Sequence, residues 1–190
     1  GRGMLQSRKD KRIGNVAYDS NALVHTSWDL GYADSMAIIC FQMIGQEIHI
    51  IDYLEEQGLQ LIEYIRKLRD KPYIYGSHYA PHDIDAHAAG TGISGREVAA
   101  TLGFYFTKLD TLKMTTQDGL EAGRGILHKC WFDEANTKHL IKCLESYHYE
   151  FDQNKNCYKS KPRHDWSSHG ADAFKHMAIA VRTIASPVRS

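Results

Sequence analysis

Residues 22–55 carry apolar side chains in alternating or short continuous runs, a pattern typical of β-strands. These runs predict strands at 22–31, 35–45 and 47–55, with Gly45-Gln46 as a tight turn between the second and the third. Strands joined by such short connections pair as antiparallel neighbours. This part of the chain is therefore predicted to form a three-stranded antiparallel sheet.

The rest of the chain alternates between helical and strand patterns. Apolar residues recur at helical spacing in 59–70, at Leu61, Ile65 and Leu68, and Pro72 follows that segment. The remaining predicted elements are strands at 73–79 and 104–110, and helices at 95–103, 116–130, 134–147 and 171–185. Hairpins followed by alternating helices and strands favour an α/β fold with a mixed sheet of the ribonuclease H/integrase-like kind. Its strands 1–3 would be antiparallel and the later ones parallel, flanked by helices.

The length of 190 residues suits one domain with a sizeable core. We expect this domain to span 22–186, and the polar, basic residues 1–21 to be a flexible segment that links it to a further, missing domain. The sequence has no run of about 18 apolar residues and predicts no membrane span. Its N-terminus also lacks the apolar stretch of a secretory signal.

Charge and cysteine content narrow the function classes. Lys+Arg and Asp+Glu both number 23, and this balance argues weakly against a protein that coats nucleic acid. It is compatible with an acidic metal site inside a basic surround. The four cysteines, Cys40, Cys130, Cys143 and Cys157, show no CxxC spacing, so buried reduced thiols are expected and a cysteine zinc site is not.

Three aspartates fall where this fold would unite them. Asp29 lies on the first strand, Asp83 follows the fourth strand, and Asp172 lies at the start of the last helix. Cleavage of a phosphodiester by two Mg²⁺ or Mn²⁺ ions, about 3.5–4 Å apart, needs such carboxylate ligands. Taken singly, Asp29 is equally typical of an edge or turn residue. Asp83 is more typical of a turn cap after Pro81, and Asp172 of the first turn of a helix.

Histidines surround two of these aspartates. His78, His82 and His87 precede or follow Asp83, while His169 precedes Asp172 by three residues, on one face of a helix start. We expect His169 to ligate a metal or position water as a mainly neutral imidazole, since its unperturbed pKa is about 6.5. A histidine–aspartate phosphohydrolase is disfavoured, because its residue pair would lie on helices and here the pair follows a strand and a proline.

Four stretches together resemble a known family, the nuclease domain of the large terminase subunit of tailed bacteriophages. They are "SWDLGYADSMAI", "HYAPHDIDAH", the helical pair beginning "DGLEAGRGILHKC", and "HDWSSHGADAFKHM". The last stretch is the most specific. The likeness covers about 22–182 and is strongest to short-tailed, headful-packaging enterobacterial phages.

The resemblance implies a metal-dependent endonuclease that cuts concatemeric double-stranded DNA for headful genome packaging. Asp29, Asp83 and Asp172 would be metal ligands for two Mg²⁺ or Mn²⁺ ions, and Asp34, Asp85 and His169 auxiliary ligands or water-positioning groups. The implied partners are double-stranded DNA, the portal protein and the small terminase subunit, in the host cell cytoplasm, with the isolated domain a monomer. An ATPase would belong to the missing N-terminal half, since the chain has no GxxxxGK[ST] loop.

DNA contact would come from basic residues that bind phosphates without reading sequence. The candidates are Arg96, Lys108, Lys113, Lys159, Lys161 and Arg163. A solvated basic loop is the alternative for the last three.

Two other functions remain open. In one, the domain is a docking module that contacts portal or capsid and cleaves poorly by itself, which the neutral net charge suits. In the other, it is a cellular resolvase or ribonuclease of the same fold, which the closing motif disfavours.

Overall fold

A computed structural model of the chain describes residues 2–31, 35–153 and 166–185. Its centre is a seven-stranded sheet. The strands are β1 (Ile13–Gly14), β2 (Val24–Asp29), β3 (Ser35–Ile44), β4 (Glu47–Gln57), β5 (Tyr75–Ala80), β6 (Phe106–Lys108) and β7 (Cys130–Asp133). They lie in the order β1-β7-β4-β3-β2-β5-β6.

The pairing of these strands confirms the predicted mixed sheet. β3 pairs antiparallel with β2 and β4, whereas β5 lies parallel to β2 and β6 parallel to β5. The turn between β3 and β4 falls at Gly45-Gln46 as predicted, and Gly45 adopts a φ of +60° that suits glycine. The chain is therefore an α/β domain whose first three long strands form the predicted antiparallel unit.

Helices cover both faces of the sheet. They are α1 (Arg2–Lys9), α2 (Leu61–Arg69), α3 (Gly95–Thr101), α4 (Thr116–Leu127), α5 (Lys138–Gln153) and α6 (Ser168–Ala185), with a 3-10 helix at His82–Asp85. One apolar core joins α1, α4, α5 and α6 to the sheet, and the other joins α2 and α3. β3 is consequently buried from Ser35 to Gln42, because both of its faces are covered. None of the helices in the described ranges is long and apolar enough to cross a membrane.

Two features differ from the sequence prediction. The segment "CWFD" forms β7, although the prediction ended a helix at Cys130 and placed no strand there, because β1 and β4 supply backbone partners on its two sides. A run of three apolar residues, Cys130 to Phe132, cannot be distinguished from a helix end by its periodicity. Residues 2–14, expected to be flexible, form α1 and β1 and bury Met4 in the core.

A buried polar chain fixes β2 against β5. The indole Nε1 of Trp28 donates to Thr26 Oγ1 over 2.8 Å, and Thr26 Oγ1 lies 2.7 Å from His78 Nδ1. A hydroxyl carries one proton and two lone pairs, so Thr26 can accept from Trp28 and donate its own proton to an unprotonated Nδ1 of His78. The His78 ring stacks on Phe104 with centroids 3.9 Å apart. Burial, with repulsion from His25 and Arg69, lowers the pKa of His78 to about 4.

This lowered pKa predicts a loss of stability in mild acid. Between pH 6.5 and 4 the unfolded chain protonates His78 while the folded protein does not, so the free energy of unfolding falls as the pH decreases through that window. The contribution is roughly 3 kcal/mol when complete. Urea unfolding at pH 7 and pH 4.5 measures it. We expect His78→Gln to reduce the difference in the free energy of unfolding between the two pH values. His87→Gln, at an exposed histidine, should retain this difference. An equal difference in the wild type and in both variants would contradict the assignment.

Candidate active site

Asp29 ends β2, and the strand register explains its side-chain direction. Asp29 pairs with Ala37 of β3, which in turn pairs with Glu55 of β4. Directly paired residues of neighbouring strands project to the same face of a sheet. Ala37 belongs to the core beneath α6, whereas Trp28 belongs to the opposite core with α2 and α3. Asp29 and Glu55 therefore both point towards α5 and α6.

Hydrogen bonds hold α6 over the end of β2. Ser27 Oγ donates to the carbonyl oxygen of Ala173 over 2.9 Å. His176 Nδ1 lies 2.8 Å from the carbonyl oxygen of Trp28, which has no proton, so the histidine is the donor. These two contacts place the first turns of α6, with His169 and Asp172, above Asp29.

His169 and Asp29 form the central pair of this site. His169 Nδ1 lies 3.1 Å from Asp29 Oδ2, and about one sixth of each side chain is exposed. Burial raises the pKa of Asp29, the hydrogen bond from His169 opposes this, and the charge of Asp172 adds to it. The pKa of His169 is raised chiefly by its hydrogen bond to Asp29, although burial opposes the increase. The pKa of His169 is therefore above the unperturbed value that the sequence analysis assumed.

Asp172 lies at the more open side of the pair. Its side chain is 43% exposed, and Lys175 Nζ lies 3.3 Å from its Oδ1. Lys175 itself is buried and also donates to Tyr147 Oη over 2.7 Å. Burial lowers the pKa of Lys175, but Asp172 and Tyr147 more than offset this and raise it. Lys175 thus remains cationic and partly neutralises Asp172.

Asp83 and Asp85 lie in the 3-10 helix that follows β5. Since Ser27 pairs with Tyr79 in parallel register, the carboxyl ends of β2 and β5 share one edge of the sheet. The Asp83 side chain is half-buried and has no hydrogen bond or ion pair with other residues that the structure describes. Asp85 instead pairs with Lys108 at 3.0 Å and Arg96 at 3.4 Å, and these cations lower its pKa. A metal would have to displace them.

Some of the remaining predicted site residues lie within the described ranges of the chain, and others do not. Arg96 and Lys108 are about half-exposed beside Asp85, and Lys113 is exposed in the loop after β6. Asp34, Lys159, Lys161 and Arg163 lie outside the described residues.

The sequence analysis missed Glu55 as a member of this region. Glu55 is 14% exposed, accepts a hydrogen bond from Tyr53 Oη at 2.6 Å, and adds to the raised pKa of His169. Its only sequence signal is the alternation of "EIHIIDYLE", which does not reveal the register with β3. Lys175 was also missed, because a lysine within a helical pattern is usually solvated.

The carboxylates suit divalent cations of the hard type. Asp29 and Asp172 offer oxygen atoms on one face of the sheet, and Asp83 lies at the adjoining strand end. Mg²⁺ and Mn²⁺ prefer such oxygen ligands, and a bound cation would remove the repulsion between Asp29 and Asp172.

A mixed sheet in the order β1-β7-β4-β3-β2-β5-β6, with a carboxylate at the end of the interior strand β2 beneath α6, is a ribonuclease H-like α/β arrangement. Solved structures confirm that fold and relate it to phage terminases. The large terminase of one thermophilic bacteriophage matches 92% of this chain and 43% of its own, with TM-score 0.65 and 10% identity. The P22 large-terminase nuclease domain matches 89% and 86% with TM-score 0.57 and 12% identity. The large-terminase nuclease of a second thermophilic phage, G20c, with bound zinc, matches 95% of both chains with TM-score 0.54 and 13% identity.

By sequence, no protein-family model and no curated protein matches the chain. The chain spans less than half of the first of these large terminases. At these identities the structural matches show a shared fold.

The site predicts that Mn²⁺ stabilises the folded protein through Asp29. A cation at a concentration of about 100 Kd adds roughly 2.7 kcal/mol, or about 5–10 °C in Tm for a domain of this size. We expect Asp29→Asn to lose most of this shift. Its metal-free Tm should equal or exceed that of the wild type, because burial disfavours the Asp29 charge.

Thermal unfolding with Mn²⁺ or with EDTA tests this. Asp70→Asn, at the exposed end of α2 beyond the other face of the sheet, is the matched control. An undiminished Mn²⁺ shift in Asp29→Asn would exclude Asp29 as a ligand.

Proposed function

We propose that this chain is the metal-dependent DNA endonuclease domain of a large terminase, the enzyme of a viral DNA-packaging motor. The observation that carries the proposal is the partly buried Asp29 at the end of β2, hydrogen-bonded to His169 and close to Asp172, in the fold of terminase nuclease domains. The proposed reaction is hydrolysis of phosphodiester bonds in concatemeric double-stranded DNA during headful packaging.

In this proposal Asp29, Asp83 and Asp172 hold two Mg²⁺ or Mn²⁺ ions. When bound, such ions activate a water molecule and stabilise the leaving oxygen of an in-line displacement. The protein supplies the positions: Ser27 and His176 fix α6 on β2, so that Asp172 approaches Asp29. His169 orients the Asp29 carboxylate through its hydrogen bond. Asp34 is a further candidate ligand.

The proposed partners follow from the same assignment. They are double-stranded DNA, the portal protein and the small terminase subunit, in the host cell cytoplasm. The ATPase of the motor would lie in sequence outside this chain. The isolated domain is proposed to be a monomer.

Plasmid nicking tests the endonuclease proposal. We expect the wild type to relax supercoiled DNA with Mn²⁺ or Mg²⁺ and to be inactive with EDTA. Asp29→Asn should lower the rate by at least about 10²-fold, because it removes a metal ligand. Loss of a single proton-transfer group typically lowers a rate by about 10²–10⁴-fold, and loss of a metal ligand should cost no less. Asp70→Asn should retain the rate.

The outcome also decides between the two candidate functions. Equal numbers of acidic and basic residues suit a docking module for portal or capsid. If folded wild type cuts no DNA with either metal, the endonuclease proposal is wrong and the docking function is favoured. If Asp29→Asn cuts at the normal rate, the assignment of Asp29 as a metal ligand is wrong.

DNA contact is proposed for Arg96, Lys108 and Lys113 and for the segment containing Lys159, Lys161 and Arg163. Arg96 and Lys108 already bind one anion, the carboxylate of Asp85, at 3.4 and 3.0 Å. A DNA phosphate could take the place of that carboxylate, because exposed ion pairs contribute little to stability.

The double variant Arg96→Ala/Lys108→Ala should therefore bind duplex DNA less tightly and with weaker salt dependence. Each lost phosphate contact lowers the slope of log affinity against log salt by about 0.9. The control is Arg66→Ala/Lys67→Ala on α2, which removes two basic residues that make no ion pair with Asp85 in the described part of the chain. Fluorescence anisotropy with Ca²⁺ as a non-cleaving cation measures both slopes, and an unchanged slope in the first variant would contradict its role.

A further inference from the structure

A second set of potential metal ligands lies beside the aspartate site. Glu55, His139 and Cys143 each offer one ligand atom, and these three atoms lie within 4.8 Å of one another. This set shares no residue with Asp29, Asp83 and Asp172. It also differs in chemistry, since it combines an oxygen, a nitrogen and a sulfur atom.

The fold brings these three residues together from two elements. Glu55 projects from β4 towards α5, and His139 and Cys143 are four residues apart on one face of α5. His139 Nε2 already lies 2.8 Å from Glu55 Oε2. The Cys143 side chain is buried, whereas that of His139 is 47% exposed and gives the set an opening to solvent.

The residues around the set hold it in place. Tyr53 Oη donates to Glu55 Oε1 over 2.6 Å. The other carboxylate oxygen, Oε2, therefore faces His139. A Cβ atom at Gly170 of α6 would lie 2.9 Å from Tyr53 Oη and 3.0 Å from Cys143 Sγ. Such contacts are too close, so the absence of a side chain at Gly170 lets α6 close over the set.

We propose that Glu55, His139 and Cys143 bind a Zn²⁺ ion, with water in the fourth position. Carboxylate oxygen, imidazole nitrogen and thiolate sulfur are ordinary zinc ligands at about 2.0–2.3 Å, in a tetrahedron. Ligand atoms of such a site are roughly 3.3–3.8 Å apart, so shifts of about 1 Å would complete it. On binding, His139 Nε2 gives up the proton that it donates to Glu55, the neutral ring carries its proton on Nδ1 instead, and the Cys143 thiol proton is released to solvent.

A thiolate ligand distinguishes the chemistry of this site from that of the proposed nuclease centre. Mg²⁺ and Mn²⁺ favour the oxygen ligands of the aspartates, whereas sulfur and imidazole favour Zn²⁺. The zinc would tie α5 to β4 next to the region where α6 covers Asp29. The inference does not depend on the nuclease assignment, since it uses none of its residues.

Cobalt titration of the metal-free chain tests the proposal, because Co²⁺ replaces Zn²⁺ and reports on its ligands. We expect one equivalent of Co²⁺ to give intense visible bands of tetrahedral cobalt and a near-ultraviolet thiolate charge-transfer band, both removed by Zn²⁺. Cys143→Ser should lose the thiolate band. His139→Ala and Glu55→Gln should each weaken binding at least about 100-fold, and Tyr53→Phe, at the residue that orients Glu55, about 10–100-fold.

Three controls keep the test decisive. Cys130→Ala and Cys157→Ser should keep the thiolate band, and Asp29→Asn should keep it as well. Absence of the band in the wild type, its loss in Cys157→Ser but not in Cys143→Ser, or its loss in Asp29→Asn would each overturn the proposal. If Cys143→Ser does not fold, the His139→Ala and Glu55→Gln titrations decide, and unchanged affinity in both overturns it.

Discussion

The candidate site depends on a carboxylate that is buried at the end of a central strand. Placing Asp29 beneath α6 takes a charge out of water, and the raised pKa of Asp29 reflects that cost. The structure offsets it with the hydrogen bond from His169 and fixes α6 through Ser27 and His176. These hydrogen bonds and the packing of α6 in the core set the position of α6, and with it the position of Asp172.

The face of the sheet around Asp29 concentrates negative charge that protein cations balance only in part. His169 lies among three carboxylates, those of Asp29, Glu55 and Asp172, and all of them raise its pKa. Lys175 accompanies Asp172, and His139 with Tyr53 accompanies Glu55. This arrangement satisfies each carboxylate locally while it leaves a site whose net charge favours divalent cations.

The two proposed metal sites illustrate how ligand chemistry separates functions over a short distance. Asp29 and Asp172 present oxygen atoms near an open edge, which suits hydrated cations that must also contact a substrate. Glu55, His139 and Cys143 present oxygen, nitrogen and sulfur ligands between β4 and α5 and under Gly170, which suits Zn²⁺ better than Mg²⁺ or Mn²⁺. Both sites lie on one face of the sheet because Asp29 and Glu55 share a register through Ala37.

By itself the sequence determined the hairpins of β2–β4, the mixed sheet, and the positions of Asp29, Asp83 and Asp172 along it, because periodicity and turn residues are local signals. It also indicated that His169 and Asp172 share a helix face. Only the tertiary structure decided that "CWFD" is a strand and that residues 2–14 join the fold, since both depend on distant partners. The proximity of Glu55 to His139 and Cys143 likewise required the register of β3 with β4 and the docking of α5, which are long-range contacts that no local pattern encodes.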